Sequence, residues 1–242
     1  LENAVTVRPI PLKAYEVRAV LDGRKTQDRR VLKLPTKTRN GPIYEHPELG
    51  GWAPTTIGGD GCFAIGRSGE KVAIPEQVAI WHQTCGTCLT APYQVGDWLW
   101  VRETWGTDDS AQDSCPPSQL GNFERVGLLY RATDKCTFTR WRPSIHMPRW
   151  ASRLTLEVTG VRVERLQEIS DEDAEAEGIC TATGAEIVEA GGKPGDAYLS
   201  AFEAFADLWD SLNAKRAPWD SNPWVVVIEF TPHWVNVERM ER

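Results

Sequence analysis

The sequence predicts an α+β protein: a mixed, barrel-like β-sheet with helices packed at its ends and long loop insertions. Three observations lead there. Residues 96–104 and Trp224–Phe230 are strong strand segments, the first alternating and the second apolar throughout. Residues 197–213 carry the clearest helical period, with Tyr198, Phe202, Phe205, Trp209 and Leu212 stepping by four, three, four and three. Strands and helices do not alternate regularly along the chain, which argues against a doubly wound parallel sheet.

In chain order, residues 1–10 read as a lead-in or first short strand. Residues 11–22 read as a helix, with Pro11 in its first turn, Leu12, Tyr15 and Ala19 on one face, and Gly23 as its stop. Residues 35–92 are rich in Gly, Pro and Thr and read as an insertion outside the core. Within it, strand pairing is expected near Cys62–Ile65 and Val72–Ile74, with an apolar step at Val78–Trp81. In residues 96–104, alternation puts Trp98, Trp100 and Arg102 on one face and Leu99 and Val101 on the other. Residues 106–124 read as loop, Val126–Ala132 as a strand, and residues 139–153 as a proline-held irregular segment. A long alternating strand follows from Leu154. Ser170 caps a short acidic helix that Gly178 ends. Residues 180–196 are another loop. The whole is expected to be a single domain, 1–242, with insertions at about 35–92, 106–124 and 180–196.

The net charge of −7 excludes coating of duplex DNA by bulk electrostatics, but it permits a local basic site. There is no apolar run of about 18 residues and no basic-then-apolar leader pattern at the start, so no membrane span and a cytoplasmic location are expected. Six cysteines are too few to staple a chain of 242 residues and should be reduced there.

The densest cationic stretch is Gly23-Arg24-Lys25-Thr26-Gln27-Asp28-Arg29-Arg30. A solvated basic turn would account for it. So would an anion pocket, in which Arg supplies two-pronged donors and Lys a point charge. Lys25, crowded by cations, is expected to have a lowered pKa and to serve as base or nucleophile. Glu177, in the last turn of the acidic helix, is placed to exchange protons. The segment with Trp141, Arg142, His146 and Arg149 offers further cations beside stacking surfaces, as do Arg102 and Tyr130. Cys85 and Cys88 are two-spaced, with His82 and Cys62 upstream. These four could build a structural zinc site; the plainer alternative is reduced thiols. No other cofactor is called for.

Several of these blocks together resemble the ASCH family. They are Gly23-Arg24-Lys25-Thr26, the Gly96-Asp97-x-Leu99-x-Val101 strand, the acidic helix ending Glu177-Gly178-Ile179, and the Trp224–Phe230 strand. Trp141-Arg142-Pro143-Ser144-Ile145-His146-Met147-Pro148, followed by Trp150-Ala151-Ser152-Arg153, is similar to long, phage- and prophage-associated members. The resemblance implies a small β-barrel related to RNA-binding PUA domains, with a cleft for a nucleotide or single-stranded nucleic acid. Lys25, Arg29, Arg30, Arg102, Tyr130, Trp141, Arg142, His146 and Arg149 would then contact the ligand. One branch of the family hydrolyses the amide of N4-acetylcytidine with a lysine, a threonine and a glutamate. Lys25 and Glu177 match two of these; Asp28 stands where the threonine falls, and Thr26 is retained nearby. The expectations are therefore nucleotide or RNA binding first, amide hydrolysis second, and protein contact through exposed tryptophans third.

Overall fold

A computed structural model describes residues 5–39, 41–44, 50–109, 112, 114–120, 127–137, 140–179, 189, 198 and 200–240. The first strand, β1 (Val7–Pro11), leads into helix α1 (Ala14–Leu21) and strand β2 (Gln27–Val31). Two short strands follow, β3 (Lys37–Thr38) and β4 (Gly41–Pro42), then β5 (Trp52–Ile57), β6 (Phe63–Ile65), β7 (Lys71–Ala73), β8 (Gln77–His82) and β9 (Cys88–Thr90). After β10 (Trp98–Arg102) come β11 (Trp105–Thr107), helix α2 (Pro117–Leu120) and β12 (Leu128–Tyr130). The chain closes with β13 (Thr155–Arg165), α3 (Asp171–Ala176), α4 (Ala201–Asn213) and β14 (Trp224–His233).

The main sheet has the order β1-β10-β13-β14-β2, with β1 and β10 parallel and the other neighbours antiparallel. The architecture is mixed α+β, as expected. The expected barrel is not observed. Among the described residues β1 and β2 are the two edges of an open sheet, and the four smaller sheets are open as well. No described helix is long and apolar enough to cross a membrane.

Strand β14 lies inside the sheet, between β13 and β2, and Val225 through Ile228 are fully buried. An apolar run is what a strand covered on both faces requires. On one face Val226 and Ile228 pack with Ile10, Leu12, Val17, Leu99, Val101 and Leu156. On the other, Val225 and Val227 meet Tyr15, Leu166, Ile169, Phe205, Leu208 and Trp209. The alternation read in β10 holds: Leu99 and Val101 enter the first cluster, while Trp98 and Trp100 face Val237.

Several details depart from the sequence reading, and the expected 106–124 loop is one, since it holds α2 and part of β11. Pro11 ends β1, and the helix begins at Ala14 with Lys13 as its N-cap. The 35–92 region contributes to the core, because Trp52, Ile80 and Ala91 join the same cluster as the main sheet. Its β6–β7 hairpin stands out, with Phe63, Ile65 and Val72 exposed. Strand β12 is shorter than the expected Val126–Ala132, and Val126 lies outside the described residues, as does most of 180–196.

Candidate functional site: a cleft over a buried ion-pair floor

The start of β2 meets the end of α3 because the backbone there is specialised at two glycines. Gly23, at φ +73°, lets the chain leave α1 sharply, and the Arg24 and Lys25 amides both donate to the Ala19 carbonyl. Gly178 has φ +90°, and a Cβ there would lie 2.8 Å from the Ala19 Cβ and 3.0 Å from the Lys25 Cβ. Only glycine permits so close an approach. Lys25 and Glu177 then form an isolated antiparallel bridge, and the Thr26 amide donates to the Ala176 carbonyl over 2.8 Å.

This approach assembles the floor of a cleft of about 700 Å³. Lys25 is 2% exposed, Asp28 3% and Glu177 8%. Lys25 Nζ donates to Glu177 Oε2 at 2.7 Å and lies 3.2 Å from Asp28 Oδ1 and 4.0 Å from Glu16 Oε1. Arg29 binds the other Glu177 oxygen at 3.0 Å and reaches Asp173 at 2.8 Å and Glu164 at 2.9 Å. Arg30 pairs with Asp28 and donates to the Pro11 carbonyl. Arg162 ties Glu164, Asp173 and Glu229 into the same network. Four cations thus face six carboxylates. Of the groups that line the cleft itself, Lys25, Arg29 and Arg30 meet Glu16, Asp28 and Glu177, so the floor is compensated internally, while Lys13, Lys33 and Arg216 leave the lining as a whole with more cations than acids.

The charge states follow from this packing. Burial alone would push the Lys25 ammonium down, but the carboxylates of Glu177, Asp28 and Glu16 outweigh it and hold it above the usual lysine range. This reverses the expected lowered pKa, because acids, not the neighbouring arginines, surround its nitrogen. Burial would likewise raise Asp28, but Arg30 and Lys25 bring it below the ordinary aspartate value. Burial dominates at Glu16 and raises it. Glu177 caps the C-terminal end of α3, where a carboxylate is normally repelled; Lys25 and Arg29 compensate that repulsion.

The wall of the cleft is apolar, built by Phe205, Leu208, Trp209 and Leu212 of α4, with Tyr15 of α1 in the same apolar cluster. Trp209 is fixed by its indole N–H donating to the Ala217 carbonyl at 2.8 Å. The helical stripe of the sequence is thus mostly core, with its C-terminal end serving the cleft. The rim carries exposed Lys13, Lys33 and Arg216, together with Ser144. A basic rim exists, but other residues than those expected make it.

The arginine-rich segment serves the fold instead. Arg142 is buried, donates to the carbonyls of Gln112 and Cys115, and lies over the Trp105 ring at 5.1 Å. Trp141 is covered by Arg131 at 5.4 Å. The Tyr130 hydroxyl donates to the Ala151 carbonyl, and Arg153 stacks on its ring at 4.0 Å. Arg149 pairs with Glu238 at 3.6 Å, Arg102 donates to the Ser144 carbonyl at 3.0 Å, and His146 is exposed. Of these residues none lines the cleft, although Arg102 touches Ser144, which does. Thr26 is exposed at the edge of the floor.

The four candidate zinc ligands are not gathered. Cys85 and Cys88 are exposed at the β8–β9 turn, and Cys62 is exposed beside the β6–β7 hairpin. His82 is buried edge-on to Trp52 at 5.1 Å and shares a hydrogen bond with the Thr84 hydroxyl. Among the described residues no three His, Cys, Asp or Glu side chains are grouped to hold a metal ion.

Sequence reasoning missed Tyr15, Glu16, Lys13, Lys33, Arg216 and the α4 wall as cleft residues. Tyr15 and Glu16 carried a weak signal, lying on the helix that delivers Lys25. Compared with known families, curated proteins and solved structures, the chain has no match.

Proposed function

We propose that the cleft binds a nucleotide or the end of a short single strand, RNA in the first instance, in an ASCH-type, PUA-like protein. The observation that carries this is the division of the cleft into three chemistries: a buried polar floor around Lys25, an apolar and aromatic wall on α4, and a basic rim. A base fits between floor and wall, and a phosphate fits the exposed cations of the rim. A volume of about 700 Å³ is ample for one nucleotide but not for a duplex. Two of the blocks that carry the family resemblance meet here, the Lys25 stretch and the end of the acidic helix, with Lys25 and Glu177 both lining the cleft. Trp209 in the wall provides the readout: titration with nucleotides and single-stranded RNA at low salt should change tryptophan fluorescence saturably. No response to any of them would refute the proposal.

A second function, hydrolysis of N4-acetylcytidine or a similar acylated pyrimidine, is favoured by the 2.7 Å contact between Lys25 and Glu177. A charged Lys25 is no nucleophile. In this version a Glu177 carboxylate takes a proton from water as that water attacks the acyl carbon. The Lys25 ammonium stabilises the oxyanion, and the proton passes to the departing amine, releasing cytidine and acetate. Mass detection of cytidine tests it, and equal turnover by wild type and Lys25→Ala would exclude the role given to Lys25.

A further inference from the structure

One buried group in the cleft is left over from the ion-pair network. Tyr15 is 5% exposed, lines the cleft, and its hydroxyl has no hydrogen-bond partner among the described residues. A buried hydroxyl without a partner costs about 1–3 kcal/mol, so native proteins rarely keep one without a use. A second unpartnered donor, the Nε–H of Arg29, belongs to another cleft-lining side chain that is 5% exposed.

The surroundings define what the hydroxyl can do. Burial, then the negative charges of Glu16 and Asp28, keep the phenol protonated throughout the physiological range, so it is available as a donor. The carboxylates of the floor, already paired with Lys25, Arg29 and Arg30, accept further hydrogen bonds. A ligand group that satisfies both must present an acceptor to Tyr15 and an N–H toward a carboxylate. An amide edge, N–H beside C=O, does this, whether in a base ring or as an acylamino substituent. A phosphate does not.

We propose that Tyr15 is the specificity-determining donor of the cleft and selects a neutral amide edge, placing the base inward and the phosphate at the Lys13, Lys33 and Arg216 rim. This rests on the nucleotide-binding function proposed above and names the ligand face that the site accepts. Loss of one such bond in a buried site is expected to weaken binding about tenfold.

The test is a titration of the full chain, wild type and Tyr15→Phe, with uridine, which carries the amide edge, and 3-methyluridine, whose N-methyl group removes the N–H and blocks that edge. Melting curves accompany both proteins. Wild type should prefer uridine by about tenfold, and Tyr15→Phe should lose that preference. Because the variant removes an orphaned hydroxyl, its melting temperature should stay equal or rise. Uridine binding unchanged in Tyr15→Phe would overturn the role of Tyr15 while leaving nucleotide binding intact. Weakened binding accompanied by a lower melting temperature would overturn it too, by making the hydroxyl structural. Failure of wild type to bind either nucleoside, or any nucleotide, would remove the underlying function as well.

Discussion

Two cation-rich segments, 24–30 and 140–153, look alike in the sequence and do opposite things in the structure. The first buries Lys25 and Arg29 among carboxylates delivered by α1, α3 and β13, at the floor of a cleft. The second buries Arg142 among backbone carbonyls and an indole, closing an irregular loop, and leaves Arg149 on the surface beside Glu238. The difference lies in what the rest of the chain brings to each segment. Cation density in sequence identifies neither a binding surface nor a positive potential. The compensating partners decide, and they come from far away: Glu177 is 152 residues from Lys25.

The largest expected effect breaks the first segment. Glu177→Ala removes the shared partner of Lys25 and Arg29 and should cost about 3–5 kcal/mol of stability in urea unfolding. A loss below about 1 kcal/mol would mean that the floor is solvated, not buried.

Next comes the second segment. Arg142→Ala leaves the Gln112 and Cys115 carbonyls without this donor and should cost about 2–3 kcal/mol, with nucleotide affinity unchanged. Weaker binding at full stability would return the segment to the ligand surface and erase the contrast. Arg149→Ala, at a half-exposed pair, should change stability by less than about 1 kcal/mol.

A pH series sharpens the comparison further. Asp28 is depressed on folding, so its contribution is complete above the ordinary aspartate value of about 3.9 and is lost as pH falls through its lower folded value. Lys25 is raised, so its contribution is complete below the ordinary lysine value of about 10.4 and is lost as pH climbs through its higher folded value. The stability difference between wild type and Asp28→Asn should therefore be constant between about pH 5 and 9 and shrink below about pH 4. A slope through neutrality would show Lys25 deprotonating there.

The smallest effects belong to the rim. Lys33→Ala and Arg216→Ala should each weaken a nucleotide about two- to fivefold, in keeping with exposed charges, and leave the melting curve unchanged.

The legibility of the sequence follows the same division. Face patterns were readable because period sets burial: the alternation of β10 and the apolar run of β14 both appear as expected. Local caps were readable too, with the Ser170 hydroxyl accepting from the Asp173 amide. The pairing of Lys25 with Glu177 came from the family resemblance, since spacing carries no such information. The barrel was misjudged because strand signals do not reveal whether the edges β1 and β2 meet. The lowered lysine pKa was misjudged because neighbours in sequence stood in for neighbours in space. Glu177, first among the acids that reverse it, lies 152 residues away, and only Asp28 is as near in the chain as the arginines.

The most direct measurement compares uridine with uridine 5′-monophosphate at low and at high salt, followed by tryptophan fluorescence. With the base on a neutralised floor and the phosphate at an exposed basic rim, both ligands should bind, and salt should weaken only the nucleotide. Binding of neither, or equal weakening of both by salt, would contradict the account.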